Sequence, residues 1–242
     1  LNNRIAKALN KYEVDVEVSI LGPDGYDDLL RGSPDKHRRV LKNLELLYEN
    51  QLEPGIVTNL IRFCYIEKDY LLNIVKEIYT QTSAKIRYFG LQRIVPTLRN
   101  MDYFRDLFVV PKESLNMIFE QLYKINKILE VPRVYAVDAF PLCVINRKYH
   151  EYVTPCAYGI EMFAISGNGD LRRCPCGECT VGNIFSNKLQ KIWESHQLSD
   201  FRGLQWLPKK CKSCHDLQYC LGGCSKSTLE SIGKDHLPDY YL

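Results

Sequence analysis

Two apolar rhythms alternate along the first part of the chain. Leu1, Ile5 and Leu9 recur at a helical period in "LNNRIAKALNKYE". In "VDVEVSIL" the rhythm becomes strict alternation, with Val14, Val16, Val18 and Ile20 set against Asp15, Glu17 and Ser19, which predicts a strand. "HRRVLKNLELLYEN" returns to helix, with Val40, Leu41, Leu44 and Leu47 on one side. "GIVTNLIRF" reads as strand, "DYLLNIVKEIYTQ" as helix and "AKIRYFGLQ" as strand. In "PKESLNMIFEQLYKINKILE", Pro111 stands near a helix start, and Leu115, Ile118, Leu122, Ile125 and Leu129 share a face. "RVYAVDA" ends the series as a strand.

Strands separated by helices of this length imply a parallel sheet with crossover helices. The four strand–helix steps are about half of an eightfold barrel. A parallel strand buried on both faces is apolar nearly throughout. "VDVEVSI" is not, so its polar residues face either solvent at a sheet edge or a polar lumen that binds something.

After about residue 140 the pattern breaks up. "MFAISGNGDLRRC" carries a hairpin signal around Gly167-Asn168-Gly169. "VGNIFSNKLQKIWES" reads as a turn, a cap at Ser186 or Asn187, and a short helix burying Leu189, Ile192 and Trp193. "LPKKCKSCHDLQYCLGGC" reads as loop, with Gly222 and Gly223 giving the backbone freedom to wrap a bound ion.

Composition narrows the possibilities. The chain has 242 residues, 45% hydrophobic and 25% charged, which suits one large domain or two modest ones with a real core. A net charge of +3 gives no case for nucleic acid or an anionic membrane. No apolar run approaches the ~20 residues of a membrane span, and no signal peptide is visible. Eight of the ten cysteines lie between Cys156 and Cys224, and Cys64 is the one cysteine before Cys143. Disulfide scaffolds spread their cysteines through small secreted domains. Crowding after a cysteine-poor half instead points to metal or cluster ligation in a reducing, cytoplasmic setting.

The spacings are Cys156-x12-Gly169-x4-Cys174, then C-x2-C-x5-C-x3-C over Cys211, Cys214, Cys220 and Cys224. A C-x2-C pair grips one centre, and Cys220 is near enough in sequence to add a third thiol. Cys224 can face away to a second centre. A zinc ribbon is the alternative, pairing "CGEC" (Cys176 to Cys179) with "CKSC". Zinc uses four thiols and leaves Cys156, Cys174, Cys220 and Cys224 unexplained.

These spacings, with "GNI" before a helix holding Trp193 and a closing "GGC", resemble the SPASM domain of radical S-adenosylmethionine (SAM) enzymes. The resemblance runs from about Cys143 to the end. The front half resembles the later part of the radical SAM partial barrel, where "VEVSILGPDGYDDLLRG" looks like a strand ending in Ser-x-Asp-Gly followed by an arginine before glycine. The implied fold is α/β: an incomplete TIM-type barrel over 1–140, then a small cysteine-rich domain with a β-hairpin, short helices and loops over 141–242.

The resemblance implies two auxiliary 4Fe-4S clusters. Cys156, Cys174 and Cys224 would hold the first, with Cys143 as its candidate upstream ligand. Cys211, Cys214 and Cys220 would hold the second. Ser19 and Arg31 match positions that contact the SAM carboxylate or ribose. The departures are equally specific. The radical-generating C-x3-C-x2-C loop and its SAM-binding cluster are absent, which suggests that an N-terminal portion of a longer enzyme is missing. Leu21 stands where the usual Asp belongs, and no cysteine follows Cys224. The second cluster's fourth ligand is left open among Cys176, Cys179, a carboxylate, an exogenous group and a residue beyond Leu242.

The function implied is that of an enzyme part acting on a peptide or protein by 5'-deoxyadenosyl-radical hydrogen abstraction. Family chemistries include thioether formation, carbon–carbon crosslinking, epimerisation and formylglycine generation, and many members mature ribosomal peptides. A flavodoxin or ferredoxin is the implied electron donor, and no individual catalytic residue is identifiable. The alternatives are a non-catalytic cluster- or zinc-binding module and a degenerate paralogue without the radical loop.

Overall fold

The computed structural model describes residues 1–97, 101–227 and 238–242. They cluster into two compact units. The first comprises Leu1–Arg93, Val110–Val137 and Lys148–Tyr152; the second comprises Ile94–Val109, Asp138–Arg147 and Val153–Leu242.

In chain order the first unit and its crossings contain α1 (Asn3–Lys11), β1 (Glu17–Ser19), α2 (Tyr26–Arg31), α3 (Lys36–Glu49), β2 (Gly55–Leu60), α4 (Phe63–Ile66), α5 (Tyr70–Gln81), β3 (Tyr88–Arg93), α6 (Met101–Leu107, in the second unit), α7 (Leu115–Lys127) and β4 (Val134–Ala136). The strands form one sheet in the order β1-β2-β3-β4, every pair parallel. Each crossover carries at least one helix, as parallel pairing demands.

The core lies on one sheet face. Ile56, Leu60, Phe89, Leu91 and Ala136 are buried there, as are Leu71, Ile74, Val75 and Ile78 of α5 and Ile118, Phe119, Leu122 and Ile125 of α7. Burying each such side chain contributes roughly 1.5–3 kcal/mol, enough to hold short helices of ordinary propensity in place.

Several predicted elements change length or type. The strand expected from Val14 is only Glu17–Ser19, at the sheet edge with Glu17 and Ser19 exposed. The strand expected through Phe63 stops at Leu60, and α4 begins at Phe63. The helix expected from Pro111 opens with a 3-10 turn at Lys112–Ser114 and becomes α-helical at Leu115. Helices α2, α4 and α6 were not predicted, being too short for a helical period to show.

The second unit continues with β5 (Ala164–Ile165), β6 (Asp170–Arg172), β7 (Thr180–Asn183), α8 (Leu189–Trp193), α9 (His196–Arg202), α10 (Lys209–Lys212) and α11 (Leu217–Cys220). The predicted hairpin is β5–β6, and β7 adds a third antiparallel strand where the sequence reads as a turn. Of the three residues expected to bury from α8, Ile192 does, while Leu189 is 49% exposed. The cysteine run is not a plain loop, since α10 and α11 sit inside it. Among the described residues, no helix is long and apolar enough to cross a membrane.

Candidate metal centres

All ten cysteines are free thiols, and the second unit gathers nine of them. Cys211, Cys214 and Cys220 line one cavity, and the fourth thiol in its wall is Cys143. Leu142, Leu217 and Leu242 supply apolar surface around them.

Local backbone geometry builds this ring. Pro208 precedes α10, and its carbonyl accepts the Cys211 N–H at 2.9 Å. The Cys214 N–H then bonds the Cys211 carbonyl, the Leu217 N–H the Cys214 carbonyl, and the Cys220 N–H the Asp216 carbonyl, at 2.9–3.2 Å. Consecutive tight turns bring the three cysteines round to the wall of one cavity. Leu221, Gly222 and Gly223 follow with φ of 50°, 78° and 77°. Three left-handed residues in a row turn the chain sharply, and Cys224 beyond them is not among the residues lining the cavity. A Cβ on Gly222 would strike Leu207, and one on Gly223 would strike Pro141 and the Asp239 carboxylate. That close approach at Pro141 lays the reversed segment against Pro141-Leu142-Cys143. There the Leu142 N–H donates to the Cys220 sulfur at 3.4 Å.

Burial pushes the Cys211 and Cys220 thiols up, and the neighbouring Cys143 sulfur adds to both shifts. Lys210 opposes the rise at Cys211, and the Leu142 and Gly222 N–H groups oppose it at Cys220.

A second grouping surrounds Cys156 and Cys174. Burial raises the Cys156 thiol, with Cys174 and Asp138 adding to the rise while the Tyr158 N–H and Arg173 oppose it. Cys176 lies in a turn closed by the Gly177 N–H on the Cys174 carbonyl at 2.9 Å. Burial pushes its thiol up to about 11, helped by Cys174 and Asp138 and opposed by Lys226. Lys226 is two residues past Cys224, so the end of the reversed segment runs toward this grouping. The Cys224 N–H is held by the buried Asp239 carboxylate at 2.7 Å, and the other oxygen of Asp239 accepts the Tyr241 N–H at 3.0 Å. Cys179 is half-buried between this turn and β7.

The two C-x2-C pairs of a zinc ribbon therefore have different neighbours: "CKSC" has Cys143 and Cys220, and Cys176 of "CGEC" has Cys174 and Asp138. Among the described residues, no three Cys, His, Asp or Glu side chains converge on one point as a single ion requires. Four thiols ranged round a cavity suit a cage of several iron atoms, each taking one thiolate. The donor set at Cys143, Cys211, Cys214 and Cys220 thus fits a cluster in number, softness and apolar surroundings. Asp138 was not anticipated. Its signal was an acid at the end of the apolar run "VYAVDAF" just before the cysteines.

The first unit brings Ser19 and Arg31 together. Asp27, fully buried, accepts the Leu21 N–H at 2.7 Å and the Arg31 Nε at 3.0 Å from each oxygen. The Arg31 Nη2 donates to the Ser19 carbonyl at 2.7 Å. Asp27, four residues before Arg31, was legible as a helical i,i+4 pair but was not singled out. Parallel register puts Glu17 and Ser19 on the same face as Asn59, Tyr88 and Gln92. Asn59 and Gln92 join that polar face near the strand ends, and the surrounding apolar residues hid them in the sequence.

Residues 156–215 match the SPASM family, described as an iron–sulfur cluster-binding domain. The chain is 27% identical over 92 residues to the PqqA peptide cyclase of Rhizobium meliloti (strain 1021), a match covering 35% of this chain and 24% of the cyclase. Its fold is similar to that of native anSMEcpe with bound AdoMet, at a TM-score of 0.65 and 17% identity, covering all of this chain and 67% of that one. It is also similar to Streptococcus suis SuiB bound to its precursor peptide SuiA, at a TM-score of 0.60 and 18% identity, covering 93% and 52%. The chain thus spans about a quarter of the cyclase and half of SuiB in these matches. It has the mixed α/β fold of these solved structures, a parallel sheet followed by a cysteine-rich region in which residues 156–215 match the SPASM family.

Proposed function

We propose that this chain is the auxiliary-cluster portion of a radical SAM/SPASM enzyme that modifies a peptide or protein. The observation that carries the reading is the set of four cysteines lining one cavity, two of which, Cys211 and Cys214, lie within the residues that match the SPASM family. The peptide names attached to the cyclase and to SuiB support the substrate class. Clusters held by these cysteines would supply one-electron acceptors, or an open iron able to ligate substrate.

The chain's own residues do the rest. The thiols give up protons as they become ligands, against the burial that raises Cys211 and Cys220. The Leu142 N–H steadies the sulfur of Cys220 as negative charge develops there. Leu142, Leu217 and Leu242 keep water from the cavity wall. On the sheet, Arg31 pins the carbonyl of Ser19, and Ser19 with Arg31 would meet the SAM carboxylate or ribose. Cleavage of SAM to the 5'-deoxyadenosyl radical is proposed for the whole enzyme, with a flavodoxin or ferredoxin as donor in the cytoplasm.

Iron and sulfide analysis with electron paramagnetic resonance (EPR), after anaerobic reconstitution with ferrous iron and sulfide, tests the reading. About eight irons per chain is the expected result. One zinc and no sulfide would sink it.

A further inference from the structure

We infer that Cys143 is the fourth thiolate of the Cys211–Cys214–Cys220 centre. The inference rests on the cluster-binding function proposed above and completes its second site. By sequence, Cys143 goes with Cys156, its nearest cysteine downstream and a candidate partner at the first centre. The fold brings it elsewhere. Cys143 lies in the wall of the same cavity as the other three thiols.

Two independent features fix it there. The first is the Leu142 N–H bond to the Cys220 sulfur, which ties the residue next to Cys143 to a ligand of the second centre. The second is the close approach of Gly223 to Pro141, which leaves no room for a side chain at 223. Residues on both sides of the ring are therefore locked to the segment that carries Cys143. The Leu142–Val144 3-10 turn begins straight after Pro141, whose fixed φ stiffens the presentation of the thiol.

The other candidates for this role are worse placed. Cys176 has Cys174 and Asp138 as neighbours, at the first grouping. Asp216 reaches the cavity wall, but its carboxylate is engaged with the exposed His215 at 3.2 Å. Cys143 is itself exposed, so its thiol can be reached by iron and sulfide from solvent.

The test uses two single-centre backgrounds, reconstituted anaerobically with ferrous iron and sulfide. In a chain carrying Cys156→Ala and Cys174→Ala, only the second centre loads. Adding Cys143→Ala there should lower the iron from about four per chain and change the EPR spectrum. In a chain carrying Cys211→Ala and Cys214→Ala, adding Cys143→Ala should leave iron and spectrum unchanged. The reverse pattern, or no effect in either background, overturns the inference.

Alkylation of the unsubstituted chain gives a readout free of any folding defect. Loading should slow Cys143 modification on the order of ten-fold, and chelation should restore it. Unchanged reactivity on loading also overturns the inference. Absence of iron and sulfide from the unsubstituted protein is a separate outcome. It would sink the cluster function itself, and the inference with it.

Discussion

The Leu142 backbone N–H and the Cys220 sulfur meet at 3.4 Å across 78 residues of chain. A donor to a cluster sulfur favours the more negative, reduced state, so it raises the reduction potential. Proline at 142 removes that donor and is tolerated, because 142 is the first residue of its 3-10 turn. Leu142→Ala keeps the donor and serves as control for the lost, buried side chain. The second cluster's midpoint in Leu142→Pro should fall below that in Leu142→Ala by on the order of tens of millivolts. Potentiometric titration followed by EPR reads the difference, and equal midpoints would count against the bond.

The reversal at Leu221-Gly222-Gly223 separates Cys224 from the ring, so its loss should be felt at the other centre. Cys224→Ala is expected to lose or alter the first cluster and spare the second, whereas Cys211→Ala does the opposite. Iron analysis with EPR distinguishes them, and loss of both clusters from either variant contradicts the split. Asp239 holds the Cys224 and Tyr241 N–H groups from a buried position. Asp239→Ala should therefore destabilise the unit by about 1–3 kcal/mol and reproduce the Cys224→Ala spectrum in part.

Much of this was legible beforehand, for reasons that differ along the chain. The helices at α3, α5 and α7 have long apolar faces, and their period survives any tertiary context. The polar alternation of β1 correctly marked a face unlike a buried parallel strand, but the paired segment is only three residues long. Spacing suggested that Cys224 faces away from Cys211, Cys214 and Cys220, and Cys224 is not among the residues lining their cavity. What spacing could not supply is which distant thiol joins each group. The approach of Gly223 to Pro141, beside Cys143, joins residues far apart in sequence and leaves no periodic trace. Asp27 was missed because a buried carboxylate paired with arginine looks, in sequence, like any solvated helix pair.

Asp27 and Arg31 should behave as one unit. Removing the guanidinium by Arg31→Gln strands a fully buried carboxylate, and the expected cost is about 3 kcal/mol. Asp27→Asn in the same chain removes the stranded charge, so the double variant should lose much less stability than the sum of the single losses. Urea denaturation of the four proteins measures the coupling. Strictly additive losses would mean that Arg31 owes its position to something other than Asp27.

Tyr88 and Glu17 supply a pH dependence with a definite sign. The Tyr88 ring lies over Gly55, where a Cβ would strike it, and its hydroxyl donates to the Glu17 carboxylate at 2.7 Å. Burial first, and then that bond and charge, push the Tyr88 hydroxyl up to about 12, with Tyr135 adding and Arg87 opposing. A hydroxyl raised above its ordinary value of 10.0 favours the folded state fully below that pH. Its contribution is lost as pH rises through about 12. Urea midpoints should therefore fall over that window, and fall less in Tyr88→Phe. The decline should not vanish, because burial also raises Tyr70 and Tyr152. Gly55→Ala should act on the same pair from the other side. Its methyl group displaces the ring, costs about 1–3 kcal/mol, and returns the hydroxyl toward its ordinary range. Absorbance titration of tyrosinate in Gly55→Ala, with Tyr88→Phe in the same background as reference, isolates that one hydroxyl. If it still titrates near 12, the methyl group has not displaced the ring from its place beside Glu17.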